Sequence, residues 1–132
     1  MRMQDLLSFY LINLLADWLK LKREGKNLGK YFEDNYIKKV AIYGLGNLGQ
    51  EVYWELSNLK DIKVLYGIDK NAKTLNIDGL KIISLDETLE EVDAVIITPL
   101  QYYNEIEESL TEKGIKNVIS IGDIVRYCVW KK

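Results

Sequence analysis

The stretch Lys38-Lys39-Val40-Ala41-Ile42-Tyr43-Gly44-Leu45-Gly46-Asn47-Leu48-Gly49-Gln50-Glu51-Val52 decides the fold. An apolar run enters a Gly-x-Gly-x-x-Gly turn, and a helical pattern leaves it. Each glycine answers a physical demand: Gly44 a tight strand-to-helix turn, Gly46 the approach of backbone to a pyrophosphate, Gly49 close packing of helix on strand. The helix that follows points unpaired N–H groups and a partial positive charge at whatever lies before the turn. With Leu45, Asn47 and Leu48 between the glycines, residues 44–49 form a candidate nucleotide-binding turn.

Working outward, Lys39 to Tyr43 reads as the first strand and Leu48 to Leu59 as the helix, with Leu48, Val52, Leu56 and Leu59 facing inward. Trp54 falls off that stripe and is a candidate contact for the N-terminal helix or a partner. A second strand over Asp61 to Gly67 leads to Asp69, which lies 20 residues beyond Gly49. A dinucleotide-binding unit places there the acid that hydrogen-bonds a ribose, and this position favours that role over a plain turn residue. An acid suits NAD better than NADP, whose 2′-phosphate it repels. Lys70 beside it is counted with the site and leaves NADP or a nucleotide sugar as alternatives.

Asp78-Gly79 marks a turn and Leu80 to Ile83 a short third strand, with no long crossover helix between strands two and three. Ser84-Leu85-Asp86-Glu87 has the form of a capping box that opens a short helix. Val92 to Ile97 is apolar throughout, as a central parallel strand should be. Thr98-Pro99 ends it on the crevice shared with the glycine turn, where the Thr98 hydroxyl can meet a ligand or cap the next helix. A helix over Tyr102 to Lys113, a fifth strand over Asn117 to Ile121 and a last short helix capped by Asp123 complete the pattern. The expected fold is α/β: a three-layer, Rossmann-like parallel sheet of about five strands in the order 3-2-1-4-5.

An N-terminal helical arm precedes it. Over residues 3 to 23, Leu7, Leu11, Leu14, Trp18 and Leu21 form one stripe, and Leu6, Phe9, Ile12, Ala16 and Leu19 form a second. A helix apolar on two faces buries both, so a homodimer through this helix is expected first, with a helix buried within the monomer or docked on another protein as the alternatives. Asp5, Asn13 and Asp17 interrupt the run, and Lys20-Leu21-Lys22-Arg23 follows it, unlike a signal peptide. The most apolar part is too short for a transmembrane segment, which needs about 20 residues. Gly25-Lys26-Asn27 ends the helix, and Asn27 is placed to cap a short one from Leu28 to Asp34. The division expected is residues 1–37 as arm and connector and 38–132 as the nucleotide-binding domain.

Composition narrows the chemistry. The 132 residues include no histidine and a single cysteine, Cys128. No metal site, disulfide or Ser-His-Asp triad is expected, and a reducing, cytoplasmic compartment is the natural setting. The formal net charge of −2 gives no global pull toward nucleic acid, and no nucleic-acid partner is expected. No catalytic residue is identified. Tyr66-x-x-x-Lys70 has the spacing of a dehydrogenase acid-base pair but spans a strand end, where side chains alternate instead of sharing a face.

From Lys38 to Asp123 the chain resembles a Rossmann-type NAD(P)-binding domain. More narrowly it resembles the nucleotide-binding domains of bacterial polysaccharide-biosynthesis proteins related to nucleoside-diphosphate-sugar epimerases and dehydratases. The phrases that carry this are Val40 to Gly49, Tyr66-Gly67-Ile68-Asp69-Lys70 and Asp78-Gly79-Leu80-Lys81-Ile82. The ending of the fourth strand is also similar to that of oxidoreductases of the glucose-fructose oxidoreductase type. The resemblance implies a module that binds NAD(H) or a related nucleotide in surface-polysaccharide metabolism, acting as an accessory or sensor. Two alternatives stand beside it: an oxidoreductase or epimerase completed by oligomerisation, and an interaction module without a cofactor.

Overall fold

A computed structural model describes residues 2–131. The strands are β1 (Lys39–Tyr43), β2 (Lys63–Ile68), β3 (Ile82–Ile83), β4 (Ala94–Ile97) and β5 (Val118–Ser120). The helices are α1 (Met3–Arg23), α2 (Gly29–Asp34), α3 (Asn47–Ser57), α4 (Tyr103–Glu112) and α5 (Ile121–Trp130). All strand pairs are parallel, in the order β3-β2-β1-β4-β5. The expected Rossmann-like sheet is therefore present.

Alternation along the strands divides the core into two layers. Val40 and Ile42 of β1 and Ala94 and Ile96 of β4 face α1, α2, α3 and α5; Ala41, Val95 and Ile97 face α4. β4 is buried throughout, as the central position of a parallel sheet requires. The first stripe of α1 joins the larger layer, with Leu14, Trp18 and Leu21 buried. Among the described residues no helix is long and apolar enough to cross a membrane.

Three local expectations change. The Ser84 capping box forms its hydrogen bond, Glu87 Oε2 accepting from Ser84 N at 2.9 Å, but it closes a turn with no helix after it. Leu85, Leu89 and Val92 of this irregular segment pack on the α4 layer, and the Tyr66 hydroxyl fastens it by donating to Glu90 O at 2.6 Å. Tertiary burial of those side chains outweighs the local helix signal. At α5 the cap is Ser120, whose hydroxyl accepts from Asp123 N at 3.0 Å; Asp123 sits inside the first turn. Asn27 stands one residue before the N-cap Leu28, and its side chain accepts from Gly29 N at 2.8 Å.

Candidate functional site

The register of the sheet places the expected residues together. Tyr43 of β1 pairs with Ile68 of β2 on one side and Ile97 of β4 on the other. The next residue of each strand, Gly44, Asp69 and Thr98, therefore emerges at one level at the carboxyl ends. β1 lies between β2 and β4, so this is where strand order reverses, the place where open α/β sheets bind ligands.

Gly44 takes φ +90°, a conformation that suits glycine, and a Cβ there would stand 2.6 Å from both Pro99 Cδ and Thr98 Oγ1. Gly49 is buried, and a Cβ on it would overlap the Gly44 carbonyl oxygen; α3 crosses the turn at backbone contact. Gly46 differs from both. Its missing side chain would point into open space, with nothing within 4 Å. It is also the N-cap of α3, and no side chain caps that end. The first N–H groups of α3 thus lack intrahelical partners, and beside them Gly46 leaves open space through which a pyrophosphate could approach the backbone. Leu45 is fully buried against Gly67 and Leu80, so at this position only backbone is offered to a ligand. Asn47 is exposed and Leu48 half-buried.

Two polar side chains hold the turn. Asp69 Oδ2 accepts from Leu45 N at 2.8 Å, and Oδ1 accepts from Asn71 N at 2.8 Å. Each carboxylate oxygen keeps acceptor capacity for a hydroxyl. Thr98, 6% exposed, directs its hydroxyl at the carbonyls of Tyr43 (3.0 Å) and Gly44 (2.8 Å). It staples β4 to the turn and caps no helix, since α4 begins after a 3-10 turn over Leu100–Tyr102. Pro99 closes over Gly44, and Lys70 is exposed beyond Asp69. Burial raises the pKa of the Tyr43 phenol, and the Asp69 charge adds to the shift, so Tyr43 is neutral at the rim.

A cavity of about 540 Å³ lies against the segment that follows Asp69, lined by Lys70, Asn71, Lys73, Ser84 and Asp86. A larger one, about 960 Å³, lies at the opposite end of the sheet against Lys38 and Ile62, which precede β1 and β2. Size does not locate the site here, because the glycines, Asp69 and the helix terminus all converge on the carboxyl ends. The Tyr66 and Lys70 pair is not brought together, the tyrosine being buried and the lysine exposed. Cys128 is buried at Leu28 O (3.6 Å), and desolvation pushes its thiol pKa up, which keeps it unreactive.

One polar centre escaped the sequence reading. Glu55 of α3, 4% exposed, accepts from Trp18 Nε1 (2.8 Å) and Leu28 N (2.7 Å) and pairs with Lys22 Nζ at 3.2 Å. It joins α1, the α1–α2 connector and α3. Its signal was an acid three positions after Val52 and next to Leu56, beside the inward stripe. Trp54, the suggested contact, is exposed instead.

Two curated relatives align with this chain. The redox-sensing transcriptional repressor Rex of Anoxybacillus flavithermus is 26% identical over 98 residues, 69% of this chain and 46% of that protein. The redox-sensing transcriptional repressor Rex of Oenococcus oeni is 26% identical over 109 residues, 72% of this chain and 49% of that protein. The chain thus spans about half the length of the curated relatives it matches. These relatives correct the expectation of no nucleic-acid partner, since both are transcriptional repressors. A net charge near zero does not exclude such a partner, because a local basic patch is hidden in the sum. A family described as C2185-like, N-terminal, matches residues 36–119, more than half of the sequence, from before β1 into β5. The chain belongs to that C2185-like, N-terminal family.

Proposed function

We propose that the domain binds NAD(H) at the glycine turn and serves as a sensing module. The observation that carries this is Gly46: open space before an uncapped helix terminus, with Asp69 at the end of the neighbouring strand. In this reading the α3 N–H groups receive the pyrophosphate and the free lone pairs of Asp69 receive ribose hydroxyls. The carboxylate disfavours a 2′-phosphate. The similarity to redox-sensing repressors supports a sensing role over catalysis. With Cys128 buried, a bound nicotinamide is a better redox reporter than a thiol. Neither the matched family nor the two relatives bears on surface polysaccharides or nucleotide sugars, so we leave that setting aside.

Thermal shift tests the proposal. NAD(H) at about 100 times its Kd should stabilise the fold by about 2.7 kcal/mol, and Gly46→Val should stay folded, at a cost of about 1 kcal/mol for the poorer N-cap, while losing that shift. No shift with NAD(H), or a shift retained in Gly46→Val, overturns the reading. NADP(H) acting as strongly as NAD(H) removes the role given to Asp69.

A further inference from the structure

Helix α1 is held to the body along one side. Leu14, Trp18 and Leu21 are buried there. Two polar anchors fix its rotation. Trp18 and Lys22 engage Glu55, while the Tyr10 ring lies against Gly122 and its hydroxyl accepts from Arg126 Nη2 at 3.1 Å. Turning the helix to hide its other side would break both. The outward side carries Phe9, Ile12 and Leu19, which are 66%, 66% and 67% exposed, in line with Ala16. Large apolar side chains aligned on an anchored helix mark an interaction surface, unlike apolar residues scattered singly.

The outward line has an order of its own. It runs Asp5, Phe9, Ile12, Ala16, Leu19, Arg23, in steps of four, three, four, three and four. That is the spacing of a two-helix seam. The line is also complementary to its own reverse. About a two-fold axis at position 14, Asp5 meets Arg23 of the second copy, Phe9 meets Leu19, and Ile12 meets Ala16. Opposite charges face each other at both ends, and a large residue faces a small one beside the axis. Parallel pairing would set Asp5 against Asp5 and Arg23 against Arg23, with like charges at each end. Antiparallel pairing also opposes the helix dipoles. Among the described residues of one chain, Asp5 pairs with the exposed Arg2 at 3.2 Å, a pair worth little in water.

We propose that α1 pairs antiparallel with α1 of a second copy of this chain through Asp5, Phe9, Ile12, Ala16, Leu19 and Arg23. The interface is isologous, the same residues on both sides.

Light scattering of the full chain over a concentration series should give the mass of a dimer. Ile12→Glu, at an exposed site, should give a folded monomer whose melting temperature, unlike that of the wild type, does not change with chain concentration. Asp5→Arg and Arg23→Glu should each weaken the dimer by roughly tenfold, and the double exchange should restore it. A wild-type chain that stays monomeric at ~100 µM overturns the proposal. So does a dimer indifferent to Ile12→Glu, which would place the contact elsewhere. Single charge exchanges without effect, or a double exchange that fails to rescue, overturn the antiparallel register.

Discussion

At its amino end α3 meets the sheet with no side chain in the way; near its carboxyl end it carries a buried carboxylate that gathers three partners. Gly44, Gly46 and Gly49 work through atoms they lack: Gly44 and Gly49 lie against a backbone carbonyl, Thr98 or Pro99, and Gly46 faces open space. Glu55 works through its charge, satisfied by an indole N–H, a backbone N–H and a lysine. The first arrangement leaves open space and unspent hydrogen-bonding capacity, which is what a ligand needs. The second spends its capacity inside the fold and leaves nothing over. A buried acid in a small domain is thus not by itself a site; the accounting of its partners decides.

Breaking each end separates the two. Gly49→Ala should be the most damaging change, about 4 kcal/mol or a turn forced out of shape, because the added methyl meets a backbone carbonyl that cannot rotate aside. Chemical denaturation measures it, and a loss below about 1 kcal/mol would mean that α3 can slide off the turn. Next comes Glu55→Ala, at roughly 2–3 kcal/mol, because Trp18 Nε1 and Leu28 N are left buried without an acceptor. Glu55→Gln keeps one carbonyl oxygen and should cost about half as much. Dinucleotide binding in the folded Glu55 variants should match the wild type, since the carboxylate sits at the far end of α3.

The smallest effect belongs to Asp93, an exposed carboxylate that does for β1 a lesser version of what Glu55 does for α1. Its Oδ2 accepts from Lys38 N (2.8 Å) and Lys39 N (2.9 Å), and these backbone hydrogen bonds hold its pKa below the ordinary value of 3.8. Asp34 and Asp86 are lowered as well, mainly by side-chain hydrogen bonds from Tyr127 and Ser84. A group whose pKa is depressed on folding stabilises above its unfolded pKa and loses that contribution as pH falls through the folded value. Melting temperature should therefore decline as the pH drops below about 4, with these three groups contributing little slope between about 5 and 7. Asp93→Asn should melt earlier at pH 7 and show a shallower acid decline. An identical acid profile in the variant would remove Asp93 from the account.

Much of the turn was legible because it is local. Spacing alone relates Gly44, Gly46 and Gly49, and the distance to Asp69 follows from the length of one helix and one strand. Strand order followed from the apolar runs and the rule that ligand-bearing crevices lie where order reverses. What sequence did not show depends on partners distant along the chain. Trp18 and Leu28 lie 37 and 27 positions from Glu55, and no pattern within α3 names them. Thr98 was read as facing a ligand or a helix; its partners are carbonyls 55 and 54 positions earlier. The Ser84 box illustrates the converse: a true local hydrogen bond carried no helix, because Leu85, Leu89 and Val92 are drawn onto the sheet.

The missing crossover helix between β2 and β3 has a consequence for motion. β3 has two residues, sits at the edge of the sheet and pairs only with Gly67 and Ile68. Segments with so few shared hydrogen bonds open at far smaller free energy than the central strands. Its detachment would widen the rim beside Asp69 while β1, β4 and the Thr98 staple stay in place. Under the proposed function, a nucleotide would enter and leave by the fraying of one short edge, with no domain movement and no disturbance of the glycine turn.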